Sequence, residues 1–264
     1  MASRFHLFEH LMLPSLKSQT DQDFETVFTI SAAMPEAYRA RLEELLGNWA
    51  PARLNVTEAT DIGRALRPFI REASEDGTRA NVHFRIDDDD ALAARYLARL
   101  RSAADRMKPG SMISFSSGFV GFTDGATAKH TKRTTPCIAI GLALYLKPEN
   151  WRSPFQIQHK KHINRVPTFV DPTFQAYHHS IHGTNNTKGY GRTMHADSRE
   201  NSRWVHNLIQ THRDLQNGAV APEGLDDQIA EALPFTTGTS IRGVMEQSLN
   251  GRELAEKMGF SHLM

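Results

Sequence analysis

The chain has 264 residues, 39% of them hydrophobic and 23% charged, enough for one large domain or two small ones around a real core. Lys and Arg number 31 against 30 Asp and Glu, so no global charge excess points to nucleic acid or an anionic membrane surface. No apolar run approaches the roughly 18 residues of a spanning helix, the first residues lack the pattern of a secretory signal, and the single Cys137 excludes an internal disulfide and a Cys-cluster zinc site. A cytoplasmic location is the resulting expectation.

In chain order, Leu7, Phe8, Leu11 and Leu13 predict a short helix that runs into a turn marked by Pro14. Residues 24–30 are rich in aromatic and β-branched side chains and predict a buried strand. Pro35 opens a helix with the stripe Tyr38, Leu42, Leu45 and Leu46, and Gly47 is placed to cap its end. A second short strand is expected over 52–56. Asp61 stands as N-cap before Ile62, Ala65, Leu66, Phe69 and Ile70 at helical spacing. A third strand over 81–86 leads into Asp87-Asp88-Asp89-Asp90, and Leu92, Tyr96, Leu97 and Leu100 predict a helix at once after it. Residues 112–122 and 137–146 are two more strand candidates. The alternation predicts an α/β sandwich with a mostly parallel central sheet. Residues 150–191 are rich in His, Asn, Gly and Thr with little periodicity. Helical spacing returns after Ser198, with Trp204, Leu208 and Leu215 on one stripe and a last helix near 241–258.

The acidic run is the most informative feature. It is placed at the C-terminal end of a predicted parallel strand, where open α/β sheets bind ligands. Four adjacent carboxylates repel one another unless they are solvated or compensated by a cation. Their hard oxygens suit Mg²⁺ or Mn²⁺, which commonly bind through one or two carboxylates plus substrate phosphates. A solvated turn that favours the next helix's dipole is the plain alternative.

Two segments together resemble a known family. Leu13-Pro14-Ser15-Leu16, then Gln19-Thr20 and Asp23-Phe24, is similar to an early segment of nucleotide-sugar glycosyltransferases with the GT-A fold. Phe84 to Asp90 resembles their Asp-x-Asp motif. The Arg4-Phe5 start and the Arg85-Ile86-Asp87 form look most like the bacterial group called putative rhamnosyltransferases. The likeness spans about residues 4–190. It implies a GT-A-like domain over 1–196, with a helical C-terminal extension over 197–264. It also implies a nucleotide-sugar donor, a glycan or other hydroxyl acceptor, and Mn²⁺ or Mg²⁺. Asp87 would then face the donor's ribose or base and Asp89 would hold the metal; a register shifted by one gives these roles to Asp88 and Asp90. A GT-A sheet normally begins with a central strand, and too few residues precede the first helix here to form it. Either Met1 is not the true start, or the sheet has a gap or a rearranged strand order.

His159, His162, His178, His179 and His182 fall close together, but Pro167 and Pro172 break any long helix and no zinc-protease pattern is present. The resemblance implies that a late His joins the Asp-x-Asp metal, and His182, followed by Gly183, is the candidate. Asp89 with Asp87 or Asp90 is expected to line an open cleft, with His182 across it. Asp171, ahead of Pro172, is the candidate general base of an inverting transfer, with an Asp-Pro turn as the plain alternative. Lys188 and Arg192, beside Gly189 and Gly191, are candidates to screen a diphosphate. The expected function is metal-dependent sugar transfer from a nucleotide diphosphate to a hydroxyl. The alternatives are a GT-A-like binding protein without turnover and a nucleotidyl- or phosphotransferase.

Overall fold

The computed structural model describes residues 1–123, 128–157, 165–182, 224–234 and 240–248. Helix α1 (Ala2–Leu7), a π-turn (Phe8–Met12) and α2 (Leu13–Lys17) form one continuous helical rod. The sequence suggests a turn at Pro14, but Pro14 sits in the first turn of α2, and the wider π-turn ahead of it absorbs the missing N–H. Then come β1 (Thr26–Ser31), α3 (Glu36–Leu46), β2 (Ala52–Thr57), α4 (Ile62–Ala73) and β3 (Asn81–Phe84). Gly47 ends α3 at φ +46°, its N–H on the Glu43 carbonyl. Asp61 caps α4 by accepting the N–H of Arg64. Beyond the acidic run lie β4 (Ala91–Leu92), α5 (Tyr96–Ala104), β5 (Ser111–Thr123), β6 (Ala128–Thr134), β7 (Ala143–Leu146), β8 (Thr168–Ile181), α6 (Leu225–Ala232) and α7 (Ile241–Ser248).

The protein is mixed α/β, and its main sheet is mixed rather than mostly parallel. The strand order is β3-β7-β5-β8-β4, and β6 replaces β7 beside the second half of β5. Among the described residues of this sheet only β5 and β8 run parallel, and the other four pairings are antiparallel. β1 and β2 form a separate parallel pair. Sequence alternation reports which segments are strands but not their direction. Hairpin-type returns such as β5 to β6 make the pairing antiparallel where crossover helices were expected.

Two further expectations change. The 137–146 run is strand only from Ala143, because Cys137 and Gly141 adopt positive φ, and a methyl on Gly141 would lie 2.8 Å from the Tyr96 ring. The aperiodic stretch contains β8, fourteen residues long, whose register against β5 shifts twice, between Asp171 and Gln175 and between Gln175 and His178. The stripe at Trp204, Leu208 and Leu215, and the part of the expected last helix beyond Ser248, lie outside the described residues.

β5 is buried along its whole length and joins the cores. Ile113 and Phe115 face a cluster with Leu16, Leu42, Tyr96, Leu97 and Tyr177. Phe119 continues into a second, with Leu7, Leu11, Ile229 and Met245. Met112, on the other face, meets Ile70, Leu142 and Leu146. Among the described residues, no helix is long and apolar enough to cross a membrane.

The segment that carries the family likeness is a buried polar clamp. Ser15 Oγ donates to the Met12 carbonyl and accepts the N–H of Leu92. Gln19 Nε2 donates to the carbonyls of Ser15 and Ala93, and its Oε1 accepts the N–H of Leu97. Thr20 N–H reaches the Ala94 carbonyl, and Asp21 pairs with Arg101 of α5. The end of α2 is thereby bolted to residues 92–97. Each buried group left without a partner costs about 1–3 kcal/mol. Gln19→Leu is expected to lower stability by about 3 kcal/mol, and the exposed Gln22→Leu by less than about 1 kcal/mol. Urea midpoints measure both, and equal effects would refute the clamp.

Candidate active site

The acidic run carries the chain from one edge strand of the main sheet, β3, to the other, β4. Its two ends are held differently. At the start, Arg85 keeps backbone pairing with Leu142 and Gly141, and its guanidinium grips Asp87 at 2.8 Å while stacking on Phe155. At the far end, Asp90 Oδ1 accepts the N–H of Ser180 in β8 at 3.0 Å. Asp89 Oδ2 accepts from His182 Nε2 at 3.1 Å; an ionised carboxylate has only acceptors, so the imidazole is the donor. Arg4 of α1 pairs with Asp88 and lies 3.8 Å from Asp89 Oδ2.

The neighbours divide by burial. Asp89 and Asp90 are 5% and 3% exposed, and His182 is 1% exposed, whereas Asp87 is partly and Asp88 well exposed. Asp89 and Asp90 therefore do not line an open cleft, contrary to the sequence expectation. Ser180 covers one, and His182 with Arg4 covers the other. The pairing sets opposite acidities. Burial, with the charges of Asp89 and Asp87 beside it, pushes the Asp90 carboxyl well above the usual carboxylate range, against the Ser180 N–H. Burial also pushes Asp89 upward, but the His182 hydrogen bond and the Arg4 charge outweigh it and hold Asp89 below that range.

The structure thus brings Asp89 and His182, 93 residues apart in sequence, into contact. Asp90 is engaged with β8 backbone, and Asp87 and Asp88 with arginines. Asp171 is not part of this group. It pairs with Phe115, whereas Ile181 pairs with Phe122, so about 23 Å of strand separates Asp171 from the His182 end. Asp171 lies within β8, and its Oδ1 accepts both the N–H and the hydroxyl of Thr173. Lys188, Arg192, His159 and His162 lie outside the described residues. Sequence reasoning gave no role to Arg4 or Ser180. Arg4 had a signal: it is a charged residue between the apolar Ala2 and Phe5 of a helix that is otherwise buried.

Among the described residues, no group of three or more His, Cys, Asp or Glu side chains is placed to hold a metal. The nearest approach to such a group is Asp89 with His182, a carboxylate and an imidazole joined by a hydrogen bond; His182 would have to give up its Nε2 proton before both could hold one ion.

Carboxylates and an imidazole gather where the loop from β3 to β4 joins the two edges of a mixed α/β sheet. Residues 1–193 match the model of the family described as "Putative rhamnosyl transferase". The chain belongs to that family and is a glycosyltransferase. No curated protein matches it.

Four histidines of the main sheet are held towards the neutral form by burial. Burial lowers His83, His130 and His179 to about 4, and His178 further. Their unfolded value is near 6.5. As pH falls from about 6.5 towards 4, the unfolded chain takes up these protons first. Each such His then removes up to about 1.4 kcal/mol of stability per pH unit. Asp90 and Asp88 act in the opposite sense, because their raised carboxyls are protonated first in the folded state. With four imidazoles against two carboxyls, the urea midpoint is expected to drop steadily between pH 6.5 and 4.5. A flat or rising profile would contradict the burial of the imidazoles.

Proposed function

We propose that this glycosyltransferase is metal-dependent and moves a sugar from a nucleotide-diphosphate donor to a hydroxyl acceptor, with its donor site at the acidic run. The supporting observation is the buried Asp89–His182 pair, 3.1 Å apart. Asp89 and His182 are the residues that would hold Mn²⁺ or Mg²⁺. When bound, the ion would neutralise charge that develops on the leaving diphosphate. Asp87 and Asp88, the more exposed members of the run, would meet the hydroxyls of the donor nucleoside. Lys188 and Arg192 are proposed to approach the diphosphate.

The remaining site residues act by position. Arg4 adds a fixed positive charge beside Asp88 and Asp89, which limits mutual repulsion in the run before donor arrives. Asp90 supports rather than binds: its bond to Ser180 anchors the neighbouring Asp89 to β8. Low acidity at Asp90 and high acidity at Asp89 leave a single buried anion to face a cation. That arrangement is less costly than two adjacent buried charges. The GT-A fold remains part of this reading through sequence resemblance.

Isothermal titration with UDP, GDP and dTDP in the presence of Mn²⁺ tests the proposal. One of these is expected to bind in a Mn²⁺-dependent manner, and Asp89→Asn and His182→Ala should each weaken that binding by at least about tenfold, about 1.4 kcal/mol. Nucleotide binding that is indifferent to Mn²⁺ and to both substitutions would refute the metal site.

A further inference from the structure

A second polar cluster lies away from the acidic run, beneath α7. His130 of β6 pairs in register with Gly121 of β5, and His178 of β8 pairs with Phe119, so the two imidazoles flank the same stretch of β5. Their rings are 5.2 Å apart and inclined at 56°. Both are buried, 1% and 0% exposed. Neither ring nitrogen of His130 has a hydrogen-bond partner among the described residues, and neither does His178 Nε2. His178 Nδ1 lies 3.3 Å from Ser180 Oγ, which orients the ring and leaves Nε2 directed at Gly121. Met245 of α7, also fully buried, approaches from above. A methyl group on Gly121 would lie 2.3 Å from Met245 Sδ, 2.8 Å from His178 Nε2 and 2.9 Å from His130 Nε2. Three lone-pair atoms from three elements therefore gather over the bare face of Gly121, and only a residue without a side chain admits all three so close.

Buried nitrogens without partners are uncommon, because each forfeits the hydrogen bond it had in water. Here two of them lie beside a thioether over the same glycine. Burial keeps both imidazoles neutral, the form that ligates metals. The set carries no anionic donor, so a divalent ion would keep its full charge in an apolar surrounding, at high cost. Imidazole with thioether favours a soft ion, and among biological metals Cu(I) combines softness with a single charge. We infer that His130, His178 and Met245 form a binding site for a soft monovalent metal ion of the Cu(I) type, which ties α7 to the sheet.

The full-length protein, stripped with chelator and kept anaerobic, is titrated with Cu(I) in competition with bathocuproine disulfonate. Ag(I) serves as a redox-inert probe in thermal unfolding. The expected result is one tightly bound Cu(I) per chain and a higher Tm with either ion. Met245→Leu keeps the volume and removes only the sulfur. It should weaken Cu(I) binding by at least about tenfold while leaving the Tm of the metal-free protein within a few degrees, about the effect of a volume-conserving swap. X-ray absorption of the Cu(I) protein should show a sulfur neighbour that Met245→Leu loses, so the test does not depend on His130→Asn or His178→Asn folding. Equal Cu(I) retention by wild type and Met245→Leu would overturn the assignment. So would Zn²⁺ raising the Tm as much as Cu(I) does, or a crystal structure with a water bridging the two imidazoles in a protein that takes up no Cu(I).

Discussion

Two buried side chains near the end of the N-terminal helical rod, Ser15 and Gln19, determine where the acidic run must stop. Between them they satisfy the N–H groups of Leu92 and Leu97 and the carbonyl of Ala93. Leu92 lies on β4, which is only two residues long, and Leu97 stands in the first turn of α5, where N–H groups lack an intrahelical acceptor. The Ala93 carbonyl also accepts the N–H of Tyr96. Without the clamp, the short edge strand would leave polar backbone buried and unpaired. With it, Ala91 and Leu92 are pinned against Tyr177 and His178, and the residues just before them have no freedom to drift from the end of β8. Asp90 and Asp89 meet Ser180 and His182 because the chain two residues later is already fixed.

Crowded carboxylates become tolerable here by being made unequal. Asp87 and Asp88 each have an arginine, and both keep solvent contact. Asp90 is buried and drawn towards the neutral form, while Asp89 stays ionised against an imidazole and a nearby guanidinium. Neighbouring groups whose acidities are driven apart are a recurrent sign of assigned chemical roles. The same division explains why the run can bridge the sheet without four like charges competing for one location.

Local features were legible in the sequence wherever one residue's chemistry decides the outcome. Asp61 caps its helix, Gly47 ends another at positive φ, and the 112–122 run forms the central strand. The likeness carried by Ser15 and Gln19 was visible too, but as a string; its meaning as a clamp required knowing that residues 92–97 lie beside it. Strand direction was not legible, because alternation is the same in parallel and antiparallel pairs. β8 was hidden by its own composition. Asp171 and Pro172 read as a break, yet the strand accommodates them with register shifts and continues for nine residues to Ile181. Within the site, the likeness brought His182 towards Asp89 as a metal partner across an open cleft, whereas the structure joins the two by a buried hydrogen bond. Arg4 was not legible as their neighbour, since nothing local links residue 4 to residues 88 and 89.

The rod that supplies Arg4 is also the rod against which α7 packs. His6 donates from Nε2 to the carbonyl of Val244 at 3.0 Å, next to Met245. One helical turn of α1 thus presents Arg4 to the acidic run and His6 to α7. On the far side, β8 places His178 in contact range of α7 and, a few residues on, Ser180 and His182 on Asp90 and Asp89. The acidic site and the helix α7 are consequently gripped by the same two elements from opposite sides. Packed cores shift between discrete arrangements rather than deforming smoothly, so seating α7 constrains α1 and β8 together. Through them it constrains both the guanidinium and the imidazole that flank Asp89.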